Sequence, residues 1–311
     1  MAIHAVIGGG ALGLATARAL AEKGESVRLV SRTPDREQID GVEPIAADAT
    51  RVDELAVAVQ GATTVYHCAN APYHRWAQEL PPLWHGILEA TRRAGARLVV
   101  GTNLYALGRP ADRQLDASSA FAPCSRKGSI RADLEREALA AHDGGDVPVA
   151  LVRASDFYGP GVRDSVIGER FIGAAVSGKP ASMYGEPDVL HSYAYLPDFG
   201  ATMAAIGVTG ESGDFGRSWI VPHDAPVTTR ELEAKLARLV DGARVSFMGK
   251  VMLRFGALFV PAAREMIEML YEFEEDFVVD SSETESRFGL EATPIDTGLA
   301  RTVAWFRAQG S

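Results

Sequence analysis

Gly8, Gly10 and Gly13, with Ala11 and Leu12 between them, have the spacing G-x-G-x-x-G directly after the apolar run Ala2–Ile7. Such a spacing binds a pyrophosphate. The first glycine makes a tight turn, the second lets phosphate approach the backbone, and the third lets a helix pack close to a strand. The helix N-terminus then offers free N–H groups and the positive end of its dipole. About twenty residues on, where a carboxylate would bind a ribose 2′-hydroxyl, the chain reads Ser31-Arg32-Thr33. A guanidinium and two hydroxyls suit a 2′-phosphate instead. A charge-assisted bond of that kind contributes about 1.5–3 kcal/mol, so the expected cofactor is NADP(H).

These residues need a sheet to position them. Strand-like runs at Ser26–Val30, Val42–Ala46, Thr63–His67, Arg97–Gly101 and Val147–Arg153 alternate with helical patterns at Asp53–Val59, Leu83–Ala94 and Ser129–Ala141. The alternation predicts an α/β fold, a Rossmann-type doubly wound parallel sheet, with ligands at the carboxyl ends of its strands. After Gly161 the rhythm loosens. A helix is expected over 164–177, a short strand at Ala181–Tyr184, a strand at His191–Leu196 and a further sheet strand at Ser218–Val221. The expected division is a dinucleotide-binding domain of 1–160 plus about 191–225, and a smaller helix-rich substrate lobe of about 161–190 and 226–311. The segment Phe247–Phe273, with Met248, Met252, Met266 and Met269, reads as core and lid.

Several segments that follow the strands resemble the short-chain dehydrogenase/reductase superfamily. The likeness is to its extended and atypical branches, the nucleotide-sugar epimerase/dehydratase type and the isoflavone-reductase or NmrA-like type. Asp48 and Ala49 resemble the family's adenine contact. His67-Cys68-Ala69-Asn70-Ala71 is similar to its nicotinamide-ribose turn. Thr102–Gly108, Arg153–Gly161, Tyr195–Phe199 and the closing Phe288-Gly289-Leu290, Pro294, Gly298-Leu299 and Trp305-Phe306 extend the likeness over nearly the whole chain. The resemblance implies a serine after the fifth strand and a Tyr-x-x-x-Lys on the next helix. Here Asn103 takes the serine position, and Pro123 stands four residues before Lys127. The tyrosine is absent. Lys127-x-x-Ile130-Arg131-x-x-Leu134-Glu135 resembles the isoflavone-reductase type, in which lysine works without it. A desolvated lysine can serve as acid or base. Tyr105 and Tyr158 are the candidate replacement phenols, and Asn103 a candidate carbonyl ligand or turn cap. Tyr73, Trp76, His191 and Tyr193, together with Tyr105 and Tyr158, are expected to line the substrate pocket.

The resemblance implies an NADP(H)-dependent oxidoreductase acting on a small or medium carbonyl or activated alkene. Two alternatives stay open: a redox-neutral epimerase, dehydratase or isomerase, and a non-catalytic NADP-binding sensor. Extended members often pair through helices beside the active site, so a homodimer through Leu83–Ala94 and Ser129–Ala141 is expected, both showing apolar positions beyond one sheet face. The net charge of −10 argues against nucleic acid or an anionic membrane as partner. Cys68 and Cys124 form no disulfide framework, no metal-ligand spacing is present, and no targeting or membrane segment is read. A cytoplasmic protein with a small-molecule substrate is expected.

Overall fold

The computed structural model describes residues 2–34, 38–110, 114–248 and 267–310. Seven parallel strands form the main sheet: β1 (Ile3–Ile7), β2 (Ser26–Ser31), β3 (Val42–Ala46), β4 (Thr64–His67), β5 (Arg97–Asn103), β6 (Val149–Ala154) and β11 (Arg217–Ile220). Their order is β11-β6-β5-β4-β1-β2-β3. The chain therefore reverses its direction of travel between β1 and β4, and ligands of doubly wound sheets bind at such a switch point. Pro44 is tolerated in β3 because β3 is an edge strand.

Both faces of the sheet are covered, as near-continuous apolar strands demand. On one face α2 (Val52–Ala58), α3 (Trp76–Ala94) and α4 (Arg126–Asp143) bury Leu55, Leu80, Ile87 and Leu134 against Val65, Leu98, Val100 and Leu151. On the other, α1 (Ala11–Glu22) and α6 (Leu196–Thr209) bury Leu20, Phe199 and Met203 against Val6, Val99 and Val152. A Cβ on Gly200 would lie 2.6 Å from the Ala15 carbonyl carbon, so glycine lets α6 approach α1.

The second lobe has its own core of Phe171, Ile172, Tyr193, Tyr195, Leu232, Leu236, Val303 and Phe306. Its strands form three small pairs: β7 (Asp156–Tyr158) with β10 (Tyr193–Tyr195), β8 (Ala181–Tyr184) with β13 (Val245–Met248), and β9 (Leu190–His191) with β12 (Val227–Thr228). Helices α5 (Ala174–Val176), α7 (Thr229–Leu239), α8 (Ser282–Phe288) and α9 (Ile295–Gln309) complete the described elements.

Four expectations change. Helix α3 begins at Trp76, before Pro81 and Pro82. The prolines remove two amide donors, but the carbonyls this frees belong to exposed Ala77 and Gln78, which water can satisfy. The helix expected over 164–177 is a π-turn, Gly168–Gly173, followed by the single turn α5. Helix α8 packs on the main sheet, with Phe288 against Trp219, so part of the expected substrate lobe returns to the first domain. The surplus apolar positions of α3 and α4 are also absent from the outside: Leu88, Ile130 and Leu139 pack on the sheet core, while outward His85 and Glu137 pair with each other. Of the 247–273 segment, 249–266, including Met252 and Met266, lies outside the described residues; Met269 is core. Among the described residues no helix is long and apolar enough to cross a membrane.

Candidate active site

The glycine loop joins β1 to α1 at the switch point. Gly8 has φ 118°, and a Cβ there would lie 2.7 Å from the Ala69 amide nitrogen; a Cβ on Gly13 would lie 1.7 Å from the Gly8 carbonyl oxygen. Gly10 caps α1, and a Cβ added there would meet nothing within 4 Å among the described residues beyond its chain neighbours. Two glycines are thus demanded by packing and the middle one is not. The space beside Gly10 and the free N–H groups opening α1 fit a pyrophosphate. Leu12 packs against Gly101, and Ala11 lies near Gly161, so both turn side chains toward protein. Ser31 Oγ is buried, has no hydrogen-bond partner among the described residues and lies beside Gly9. Exposed Arg32 follows it. Asp48 accepts from the Thr50 amide and hydroxyl at 2.9 and 2.8 Å. Those bonds, and more weakly the charge of Arg32, hold its carboxyl below the usual aspartate range. Ala49 backs onto α3 through its carbonyl at Gly86. The Cys68 side chain is turned into the protein toward Thr16, 3.6 Å away, and burial pushes its thiol up to about 12. Cys68 and Ala69 thus border the glycine loop, Ala69 through its backbone.

Lys127 opens α4, whose cap Ser125 accepts from the Gly128 amide at 3.0 Å. The lysine is 3% exposed. Its Nζ lies 2.6 Å from Glu268 Oε1 and 4.4 Å from the centre of the Tyr73 ring. The Tyr73 and Tyr105 rings both lie against Trp76, 5.1 and 6.0 Å from its ring centre. Burial holds both phenols above the usual tyrosine range, and the carboxylates of Glu272 and Asp156 add to it. Asn103 Oδ1 accepts from the Tyr105 amide at 3.3 Å, so this side chain caps the turn that presents Tyr105. The structure therefore brings Lys127, Tyr73, Tyr105 and Asn103 together. Trp76 is a wall rather than a lip: it is buried, and its indole donates to the Ala71 carbonyl at 3.1 Å.

Behind Lys127, one and two turns along α4, lie Arg131 and Glu135. Arg131 is sandwiched between Trp76 and Trp84, 4.3 and 5.7 Å from their ring centres, and donates to Asn70 Oδ1 at 3.3 Å. Burial lowers its guanidinium to about 10. Glu135 is fully buried, accepting from Thr102 at 2.7 Å and from Arg153 at 2.7 and 3.1 Å. This ladder ties α4 to β5 and β6 at the carboxyl edge. Glu135→Ala leaves Arg153 buried without its carboxylate, and a stability loss of about 3–5 kcal/mol is expected. Urea unfolding measures it; a loss under about 1 kcal/mol shows that water replaces the pair.

The other predicted residues lie apart. Tyr158 is 1% exposed and packs in the second-lobe core against Tyr195, 5.4 Å between ring centres, and against Gly298. It does not join Lys127. His191 and Tyr193, expected at the cleft, are both buried. Phe273 stacks on the His191 ring at 4.6 Å, Phe277 at 5.4 Å, and the expected strand breaks at Ser192. Glu268, Arg131, Asp156 and Glu272 were not singled out as site residues in the sequence reading, although Arg131 and Asp156 fall inside the quoted motifs. Only the spacing Lys127-x-x-x-Arg131-x-x-x-Glu135, one helix face, could have signalled any of this.

A family model described as the NAD dependent epimerase/dehydratase family matches residues 5–221. No curated protein sequence matches the chain significantly. Among solved structures, MoeE5 in complex with UDP-glucuronic acid and NAD is 22% identical, covers 98% of this chain and 99% of its own, and has a TM-score of 0.78. DesIV, a dTDP-glucose 4,6-dehydratase from Streptomyces venezuelae with NAD and TYD bound, is 18% identical over 98% of this chain and 97% of its own, with a TM-score of 0.78. UDP-glucuronic acid 4-epimerase from Bacillus cereus, with UDP-glucuronic acid and NAD, is 16% identical over 99% of both chains, with a TM-score of 0.81. These likenesses establish the Rossmann-type fold along the full chain.

Proposed function

Since the chain belongs to the NAD dependent epimerase/dehydratase family, we propose that it is a nicotinamide-dinucleotide enzyme converting a sugar nucleotide without net redox change. The observation that carries this is the buried Lys127 ammonium against Tyr73, on the same sheet edge as the glycine cradle. The named neighbours, each with NAD and a nucleotide ligand, support the substrate class. The dinucleotide is held by the Gly8–Gly13 loop, Ser31, Arg32, Asp48 and the Cys68–Asn70 turn. When bound, it supplies a hydride acceptor and donor. Lys127, Tyr73 and Tyr105 hold the substrate oxygen, with Asn103 fixing the Tyr105 turn. The test offers UDP-glucose, UDP-glucuronic acid and dTDP-glucose with either dinucleotide. Changed sugar at constant 340 nm absorbance supports the reading. Binding of the dinucleotide without any product turns it to a sensor.

A second reading, net reduction of a carbonyl or activated alkene by NADPH, is favoured by Pro123 in place of the usual tyrosine and by Arg32. Stoichiometric loss of 340 nm absorbance identifies it. The dinucleotide itself is decided separately. Arg32 and the unpartnered Ser31 Oγ support NADP(H), although the neighbours carry NAD. NADPH is expected to bind at least about tenfold tighter than NADH, and Arg32→Asp to reverse or abolish the difference. Equal dissociation constants in calorimetry remove the NADP preference and leave the rest standing.

A further inference from the structure

Asp156 and His191 form a buried pair that the proposed function, as stated so far, does not use. Asp156 follows β6 by two residues, at the carboxyl edge of the sheet. Its side chain is 13% exposed, while that of His191 behind it is 2% exposed. The Asp156 Oδ2 and His191 Nε2 atoms are 3.0 Å apart. His191 Nδ1 lies 3.0 Å from the Glu272 carbonyl oxygen. A carbonyl only accepts, so Nδ1 carries a proton and donates it there. In the neutral ring Nε2 is then a lone pair facing a carboxylate oxygen. Two acceptors 3.0 Å apart and shielded from water repel each other, and a proton on either one turns the contact into an attraction. Among the described residues neither atom makes an aligned hydrogen bond, so the hydrogen-bonding capacity of both is unspent. Phe273 and Phe277 stack on the imidazole and fix its plane.

The surroundings place this pair beside the candidate site. Tyr193 stands opposite Asp156 in the β7–β10 pair, and the Glu272 carbonyl meets His191. Tyr73 and Tyr105 pack against the cluster that holds Phe277, the ring stacked on His191. The Asp156 charge raises the pKa of all four of these titratable groups. Glu272 comes from the turn Leu270–Phe273, Tyr193 from β10, and the other two phenols from the turns after β4 and β5. Those are the titratable groups that face the pair among the described residues. Lys127 reaches the same cluster over the Tyr73 ring.

We propose that Asp156 exchanges the proton of the substrate hydroxyl, with His191 as the positioning residue behind it, in the role left by the tyrosine absent at Pro123. In the forward direction the substrate O–H bond breaks and the proton passes to Asp156 Oδ; in the reverse direction Asp156 returns it to the oxygen. The proposal rests on the sugar-nucleotide reading above for its substrate, but the Asp156–His191 proton is observable without it.

The test uses Asp156→Asn and His191→Gln in the full chain. Asp156→Asn is expected to lower kcat by about 10²–10⁴-fold while KM and the dinucleotide dissociation constant change less than about threefold, and to remove one limb of the kcat/KM pH profile. His191→Gln is expected to move that limb without removing it, as a positioning role requires. The independent readout is the imidazole ¹⁵N spectrum of the dinucleotide-free protein. Asp156→Asn should displace the His191 Nε2 resonance and leave Nδ1 in place. An unmoved Nε2 resonance overturns the proposal, as does an Asp156→Asn enzyme with kcat within about threefold and an intact pH limb. If no sugar nucleotide is turned over, the functional reading fails, and the ¹⁵N result still decides whether the two side chains share a proton.

Discussion

Lys127→Ala is expected to lower turnover by about 10²–10⁴-fold, the scale of a positioned acid–base group. The ammonium is enclosed by Glu268 and the Tyr73 ring, so its removal deletes the cation that lies over that ring. Lys127→Arg should not rescue turnover, because a planar guanidinium is too wide for a space built around an ammonium. Dinucleotide affinity should change far less than turnover. A competing account makes Lys127 a tie that fastens Glu268 to α4. Glu268 also accepts from the Arg126 amide at 2.8 Å, so part of that tie survives the loss of the lysine. Glu268→Gln separates the two accounts. If Lys127 is only a tie, Lys127→Ala and Glu268→Gln lower the thermal midpoint alike and leave kcat alone. If it acts on the substrate oxygen, kcat falls steeply in Lys127→Ala and much less in Glu268→Gln.

The order of elements was legible because apolar strands, glycine turns and helical periodicity repeat along the chain without a competing pattern. Gly8 and Gly13 announced the loop, and the absence of tyrosine at Pro123 was plain. What periodicity hides is which side of a short strand meets the second lobe. His191 and Tyr193 alternate like residues of a half-exposed strand. The turn carrying Phe273 and the chain near Phe277 close over them, however, and those contacts span some eighty residues. Tyr158 misled for the same reason: it stands at the correct sheet edge, but α9 brings Gly298 against its ring and draws it into the second-lobe core. Arg131 and Glu135 stood in the sequence only as members of the Lys127 motif, with no role of their own. Burial of charge at those positions is stable only because Asn70, Thr102 and Arg153 arrive from three different strand ends. The pairing of Lys127 with Glu268 is equally long-range, and no local signal marks it.

Gly10→Val and Gly13→Ala should fail in opposite ways. A Cβ at Gly13 meets the Gly8 carbonyl oxygen at 1.7 Å, and the obstacle is backbone rather than a side chain that could rotate. Either α1 must move off β1 or the loop must open, so Gly13→Ala is expected to cost about 3 kcal/mol or more of folding stability. Gly10 has φ −86° and ψ −176°, an extended cap that any residue adopts, with nothing within 4 Å of the added carbon. Gly10→Val therefore loses only the preference for a good cap residue, about 1 kcal/mol. Its branched side chain instead fills the space in front of the free N–H groups of α1, which is where the pyrophosphate must lie. Dinucleotide binding should disappear from a protein that still unfolds cooperatively near the parent midpoint. Calorimetric titration beside thermal unfolding reads both quantities on one sample. Unchanged dinucleotide affinity in Gly10→Val would mean that the loop is only a turn, and the cofactor assignment would go with it. A stable Gly13→Ala protein would show that α1 can slide on the sheet, and the contrast between the two glycines would then be lost.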